Sequence, residues 1–250
     1  MMARRLAGAG LTALLVLGGA AQAQTAEGAH PEIRAQLSPV RSTILSAEIP
    51  GGISELTVRE GDRFTAGQKL VTLDCRLHKA RLDKALAQQE QARKTYNVQA
   101  RLDKLGSNSA LEFQTAAAQL AVAEAEVAMN RTIATYCVIT APFDGRVVEL
   151  KARAHQYVGE GHELMEILDD RELEVELAVP SNWLLWLRQG TAFTLRLDET
   201  GKEYAARIGR MGSRIDAVSQ TIKVFGTVTG GSFPELIAGM SGTAVFVPPR

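Results

Sequence analysis

The chain has 250 residues, with 28 Lys and Arg balanced by 28 Asp and Glu, for a formal charge of zero. A balance this even excludes the basic footprint that a nucleic-acid partner demands. The length allows one or two compact domains.

Arg4 and Arg5 precede an apolar run, Leu11 to Ala21, that is short and rich in Gly and Ala; it ends in the small-x-small triplet Ala21-Gln22-Ala23. This pattern predicts a cleaved signal peptide over 1–23, with an uncleaved anchor helix as the alternative. No cysteine follows the run, so a lipid-modified N-terminus is not expected, and no later segment is apolar enough over a sufficient length to span a bilayer. The mature chain is read as starting near Gln24, exported to the periplasm, with residues 24–42 an N-terminal extension. Without Arg4 and Arg5, 26 cationic residues face 28 acidic ones, a charge of −2.

From Thr43 to Leu73 the sequence reads as short strands, Thr43-Ile44-Leu45 and Ile53 to Val58. Turns at Pro50-Gly51-Gly52, Glu60-Gly61-Asp62 and Ala66-Gly67-Gln68 punctuate them. From Cys75 to Leu105 there is no Gly or Pro, and strong helix formers dominate. Asp74 is placed to cap that helix and Gly106 to end it in a left-handed conformation. Ser109-Ala110-Leu111-Glu112 is a capping box opening a second helix. In the second helix Phe113, Ala116, Leu120, Ala123, Val127 and Asn130 recur at alternating spacings of three and four, a coiled-coil stripe. The first helix is less regular, and Leu77, Ala80, Ala87, Val98 and Leu105 are its candidate stripe.

A short turn forces the two arms antiparallel, each about 40 to 45 Å long. So Ala-rich a hairpin buries little area by itself. An arm projecting toward a partner is expected over one folded back on its own domain. Cys75 opens the first arm and Cys137 closes the second, so both fall at the root, where a Cys75–Cys137 disulfide is expected. The alternative is two small buried apolar side chains.

After Ala134 strands resume as a repeat. Val58 to Leu70 aligns with Ala152 to Leu164 at a constant offset, pairing Phe64 with Val158, Gly67 with Gly161 and Leu73 with Ile167. Upstream, with one residue of slack, Pro50-Gly51-Gly52-Ile53 matches Phe143-Asp144-Gly145-Arg146. Two half-motifs flanking an insertion predict a pseudo-symmetric β-sandwich. Beyond it, strands at Leu173–Val179, Thr191–Leu197, Tyr204–Ile208, Ile222–Val228 and Thr243–Val247, with a short helix at Ser181–Arg188, predict a small barrel. Trp183 and Trp186 are expected to pack as its core or lid rather than as a ligand cage.

Thr140-Ala141-Pro142-Phe143-Asp144-Gly145-Arg146-Val147 resembles the A-P-F-D-G-x-V strand-turn of periplasmic adaptor (membrane fusion) subunits of bacterial tripartite efflux pumps, the HlyD-like and RND-type adaptors. Glu60-Gly61-Asp62 with Gly67-Gln68-Lys69-Leu70, Asp216 with Thr221, and Leu236-Ile237-Ala238-Gly239-Met240 are similar to further motifs of that family, in the same order. The resemblance implies an α+β, mostly β fold: a lipoyl-like β-sandwich split by an antiparallel α-helical coiled-coil hairpin and followed by a β-barrel. Its expected boundaries are 43–74 and 138–168 for the lipoyl-like halves, 75–137 for the hairpin and 169–250 for the barrel. It also implies a non-catalytic bridge between an inner-membrane transporter and an outer-membrane channel for efflux of small molecules, assembled as a ring, often a hexamer. Family members dock their channel through an R-x-x-x-L-x(6)-S-x-x-E tip. Arg101, Leu105, Ser109 and Glu112 match it, with Asn108 at the turn, although the Leu105–Ser109 stretch is about three residues shorter than the family pattern. The membrane-proximal domain of many members is not expected here, since the sequence stops soon after the barrel.

The chemistry of other classes is not expected. No Met-Lys-Met carrier site occurs, and the position it would take holds the helical insertion. His30, His78, His155 and His162 are scattered and join no ligand pattern. Gly-x-Ser-x-Gly and a phosphate-binding glycine loop are missing. Neither a catalytic residue, a metal site nor a cofactor is therefore expected. The second functional reading is a stand-alone periplasmic module capturing a small molecule or polysaccharide through its barrel.

Overall fold

A computed structural model describes residues 32–107, 109–231 and 233–247. The predicted signal peptide, His30 and Asn108 lie outside the described residues. The fold is mostly β, with a closed six-stranded barrel, two four-stranded sheets and two long helices.

Residues 32–42 are not a mere extension. Glu32–Pro39 forms a strand, β1, which supplies one stave of the barrel. Its partners lie far along the chain, so no local pattern revealed it. The chain then enters the sandwich through β2 (Ser42–Ser46), β3 (Gly51–Leu56), β4 (Arg63–Phe64) and β5 (Lys69–Leu73). It leaves for the helices and returns through β6 (Val138–Thr140), β7 (Gly145–Leu150), β8 (Tyr157–Val158) and β9 (Glu163–Leu168).

The repeat holds without slack. Gly51 corresponds to Gly145, and β3/β7, β4/β8 and the start of β5/β9 share one offset of 94 residues. Both turns need a left-handed residue at the same place, Gly61 in one half and His155 in the other, with φ of 84° and 66°. The sheets run β2-β9-β7-β4 and β6-β5-β3-β8. Each half therefore donates its central pair to one sheet and its outer strands to the other. Equivalent hydrogen bonds cross between halves: Gly61 N–H to the Val147 carbonyl, and His155 N–H to the Ile53 carbonyl. Ile53, Leu70, Leu73, Val147, Leu164 and Ile167 fill the shared core, each contributing about 1.5–3 kcal/mol by burial.

Helix α1 (Arg76–Lys104) begins one residue later than a helix capped by Asp74 would. Cys75 is the capping residue by position and makes no side-chain cap; Asp74 accepts from the Arg76 N–H at 3.1 Å and pairs with its guanidinium. Helix α2 (Ala110–Thr135) packs along α1 and opens with the predicted capping box: Ser109 Oγ accepts from Glu112 N–H, and the Glu112 carboxylate from Ser109 N–H. Between them Gly106 takes a φ of 67° while its N–H reaches the Asp103 carbonyl and Ser107 N–H the Leu102 carbonyl. These are the two bonds of a Schellman motif.

The stripe predicted on α2 is the one that is covered: Ala116, Val127 and Asn130 are buried and Phe113, Leu120 and Ala123 half-buried. On α1 the expected stripe is wrong. Leu77, Ala80, Ala87, Val98 and Leu105 are all exposed, and the covered face is His78, Leu82, Ala85, Gln89, Ala92, Tyr96, Gln99 and Leu102. Three of those side chains are polar, so a reading by hydrophobicity selected the outer face. Tyr96 meets Phe113 across the pair, ring centroids 5.6 Å apart.

The barrel comprises β1, β10 (Leu173–Pro180), β11 (Ala192–Leu197), β12 (Glu203–Asp216), β13 (Thr221–Val228) and β14 (Ser241–Phe246), in the order β1-β10-β13-β12-β11-β14. Strand β12 runs well past its predicted end at Ile208 by using two bulges against β13. The expected short helix is a 3-10 turn over Ser181–Leu185. Trp183 and Trp186 lie edge-on to Phe246 over the barrel core, 5.4 and 6.2 Å between centroids. Leu177, Leu195, Leu197, Val224, Ala244 and Phe246 fill the interior, so the barrel is a packed core rather than a container.

Candidate functional site

The far end of the helix pair is built from local bonds and then left bare. The Schellman turn closes α1 and the capping box opens α2, so both helix ends are capped by local bonds within a turn only a few residues long. Leu105 and Leu111 are 75% and 73% exposed, and Arg101 and Lys104 are exposed in the last turn of α1. Of the predicted contact residues, Arg101, Leu105, Ser109 and Glu112 are thus gathered at one end. The Ser109 and Glu112 side chains are also occupied with each other's backbone.

At the opposite end Cys75 and Cys137 are joined in a disulfide, Cα atoms 5.9 Å apart, and both are buried in the sandwich core. The separation lies in the ordinary range for such bridges.

A third place was missed by sequence reasoning: the joint between sandwich and barrel. Asp169 is fully buried there and pairs with Arg41 and Arg171. Burial pushes its carboxyl up, but hydrogen bonds from the Arg171 side chain and backbone, and from Arg41, outweigh burial and hold it below the usual carboxylate range. Asp170 receives Arg63 at 2.6 Å and Arg146 at 3.2 Å. Arg171 also reaches Asp144, whose other oxygen accepts from Ala66 N–H. The Arg41 guanidinium lies over Phe143, 5.4 Å from its centroid. Gly145 lets β7 approach β9, because a Cβ there would stand 2.1 Å from the Leu168 carbonyl oxygen. The Ala141-Pro142-Phe143-Asp144-Gly145 motif is therefore the hub of the joint. The run Asp169-Asp170-Arg171 was its one visible signal. Beside it opens a cleft of about 690 Å³, lined by Arg63, Arg146, Asp170, Arg171, Phe233 and Leu236 among others.

A model of the RND membrane fusion protein family, that of its barrel-sandwich hybrid domain, matches residues 41–170. The chain belongs to the RND membrane fusion protein family. The matched interval holds both halves of the sandwich, the helix pair between them and Asp169 and Asp170 of the joint. Among curated relatives of this membrane fusion protein, an uncharacterized protein of Haemophilus influenzae is 28% identical over 81% of the chain and 53% of its own length. The nodulation protein NolF of Rhizobium meliloti is 26% identical over 79% and 60%. The multidrug resistance protein MdtN of Escherichia coli is 30% identical over 38% and 28%. The chain thus spans about half the length of the curated relatives it matches first.

Among solved structures, the MacA-MexA chimera carrying the Pseudomonas aeruginosa MexA α-hairpin domain superposes with a TM-score of 0.77 at 17% identity, over 86% of this chain and 79% of that one. The membrane fusion protein Spr0693 of Streptococcus pneumoniae gives 0.73 at 16% identity, over 88% and 100%. These likenesses extend the shared fold to the barrel, which the family model leaves out. Among the described residues no helix is long and apolar enough to cross a membrane, and no His, Cys, Asp and Glu cluster is placed to hold a metal.

Proposed function

We propose that this membrane fusion protein is a non-catalytic periplasmic adaptor that bridges an inner-membrane transporter and an outer-membrane channel in the efflux of small molecules. Its leader over 1–23 is removed on export, and its helix pair acts as a coiled-coil hairpin clamped at the root by Cys75–Cys137. The observation that carries this reading is the tip: a self-capped turn presenting Leu105, Leu111, Arg101 and Lys104 to solvent, at the end of arms about 40 Å long. Arg101, Leu105, Ser109 and Glu112, with Asn108 in the turn, form the channel contact. A photoreactive residue at position 105 or 111 tests it in intact cells. A covalent product with an outer-membrane channel is expected, and capture of nothing beyond copies of the chain itself ends the tip-docking claim.

Self-association into a ring is supported by a second seam. Leu111, Thr115, Ala118, Val122, Ala125, Met129 and Thr132 follow the alternating four-three spacing of a coiled coil, and all are exposed and uncharged. Helix α1 carries eight Lys and Arg against three acids, whereas α2 carries one Arg against three Glu. The bare seam of one copy, on the more acidic helix, thus suits the basic helix of the next. Capture inside the barrel, the second reading, gains no support from an interior filled by side chains.

A further inference from the structure

The end of the barrel away from the sandwich carries another surface, separate from the adaptor contacts above. There β10 ends at Pro180, opposite Thr221 at the start of β13, and β12 ends at Asp216, also opposite Thr221. The 3-10 turn lies beside that hairpin, since Ser181 N–H donates to the Gln220 carbonyl at 2.8 Å. Strand β14 finishes at the same end, with Phe246 under the two indoles. Three aliphatic side chains here are bare: Val218 is 97% exposed, Leu185 84% and Val247 70%. Next to them Trp183 and Trp186 are half-buried, 5.1 Å apart.

Two features select what covers this rim. Half-buried indoles beside aliphatic tips suit the boundary between lipid headgroups and acyl chains, which solvates an amphipathic ring on both sides. The charge is also suited. Arg188, Arg207 and Arg214 are exposed around the rim; Arg188 and Arg207 donate only to backbone carbonyls and so keep their charge. Of the acids at this end, Glu32 faces Arg196 at 3.8 Å, and the Asp216 carboxylate, held ionised by the N–H groups of Val218 and Ser219, opposes the arginines without outnumbering them.

We infer that this end of the barrel docks on an anionic lipid surface, with Leu185 and Val218 entering the acyl region and Arg188, Arg207 and Arg214 meeting the headgroup phosphates. Docking of this kind goes beyond the adaptor reading and stands or falls without the hairpin tip. It would fix the barrel against the bilayer whatever transporter lies beside it.

The chain has two tryptophans, and both sit on this rim, so intrinsic fluorescence reports the surface directly. The purified full chain is mixed with phosphatidylcholine vesicles, with and without phosphatidylglycerol, and with the same vesicles carrying dibrominated acyl chains. A blue shift and bromolipid quenching are expected with the phosphatidylglycerol vesicles. The Leu185→Asp, Val218→Asp double variant, changed only at exposed sites, should partition at least about tenfold less while keeping its circular dichroism. Emission unchanged by both vesicle types overturns the inference, as does quenching of the double variant equal to that of the parent. Equal partition onto the two vesicle types overturns the anionic assignment. A retained leader would carry both proteins to vesicles, but it would still leave their bromolipid quenching unequal.

Discussion

The two halves of the sandwich follow the same path and leave it by different doors. At an offset of 94, Cys75 at the exit of the first half corresponds to Asp169 at the exit of the second, and both are buried. The first exit leads to the helices and is closed by the bond to Cys137; the second leads to the barrel and is closed by Arg41 and Arg171. One fold position has thus been fastened twice by unrelated chemistry. A covalent clamp answers to reductant and ignores pH and salt. An ionic one answers to pH and to loss of a charge, and ignores reductant.

Breaking the covalent door has the largest expected effect. Replacing Cys75 and Cys137 by Ser, or reducing the bridge, should cost about 4 kcal/mol on the chain-entropy account of a loop this long. Urea unfolding with and without reductant measures it, and paired reducing and non-reducing peptide maps establish the bridge itself. Two free thiols in the purified protein would remove the covalent half of the comparison.

The next test separates halves that look equivalent. Gly145→Ala drives a Cβ to 2.1 Å from the Leu168 carbonyl oxygen, whereas at Gly51 the nearest atom is the Asp74 carbonyl oxygen at 3.7 Å. Gly145→Ala should lose about 3 kcal/mol or more, and Gly51→Ala should stay within about 1 kcal/mol of the parent. Equal losses would mean that the β7–β9 approach is not specially tight.

The ionic door gives the smallest effect and the clearest pH signature. Asp169→Asn should cost about 2 kcal/mol near neutral pH, the scale of hydrogen bonds to a charged group. Because the folded carboxyl titrates below its unfolded value of about 3.9, its contribution is full above that value. It is lost as pH falls through the lower folded value. Parent and variant should therefore converge in unfolding midpoint below about pH 4; a gap that persists unchanged into acid would show that Asp169 acts through packing.

What the sequence disclosed follows from distance along the chain. The capping box, the Gly106 terminus and the inner stripe of α2 depend on residues within a few positions of one another, and each is legible. The sandwich repeat is longer in range but copies itself, so Gly67 and Gly161 betray it. Strand β1 has no copy, and its partners around Leu177 and Ala244 lie more than 130 residues away; its strand character is invisible locally. The inner face of α1 is disguised by His78, Gln89 and Gln99. At the candidate tip the residues and their grouping are legible, while their present bonds, Ser109 and Glu112 to one another, emerge only in three dimensions. The joint was hidden because Arg41 and Asp169 meet across 128 positions.

The exchange of strands also sets a timetable. Neither sheet can be completed by the first half, since β2 waits for β9 and β3 takes its outer partner from β8. The barrel waits longer still: β1, the first stave to emerge, is flanked by β14, the last. A chain laid down from its N-terminus therefore holds no finished β-domain until almost its full length is free. Such a molecule stays threadable until its last stave is free, which is what the export proposed above would require of it.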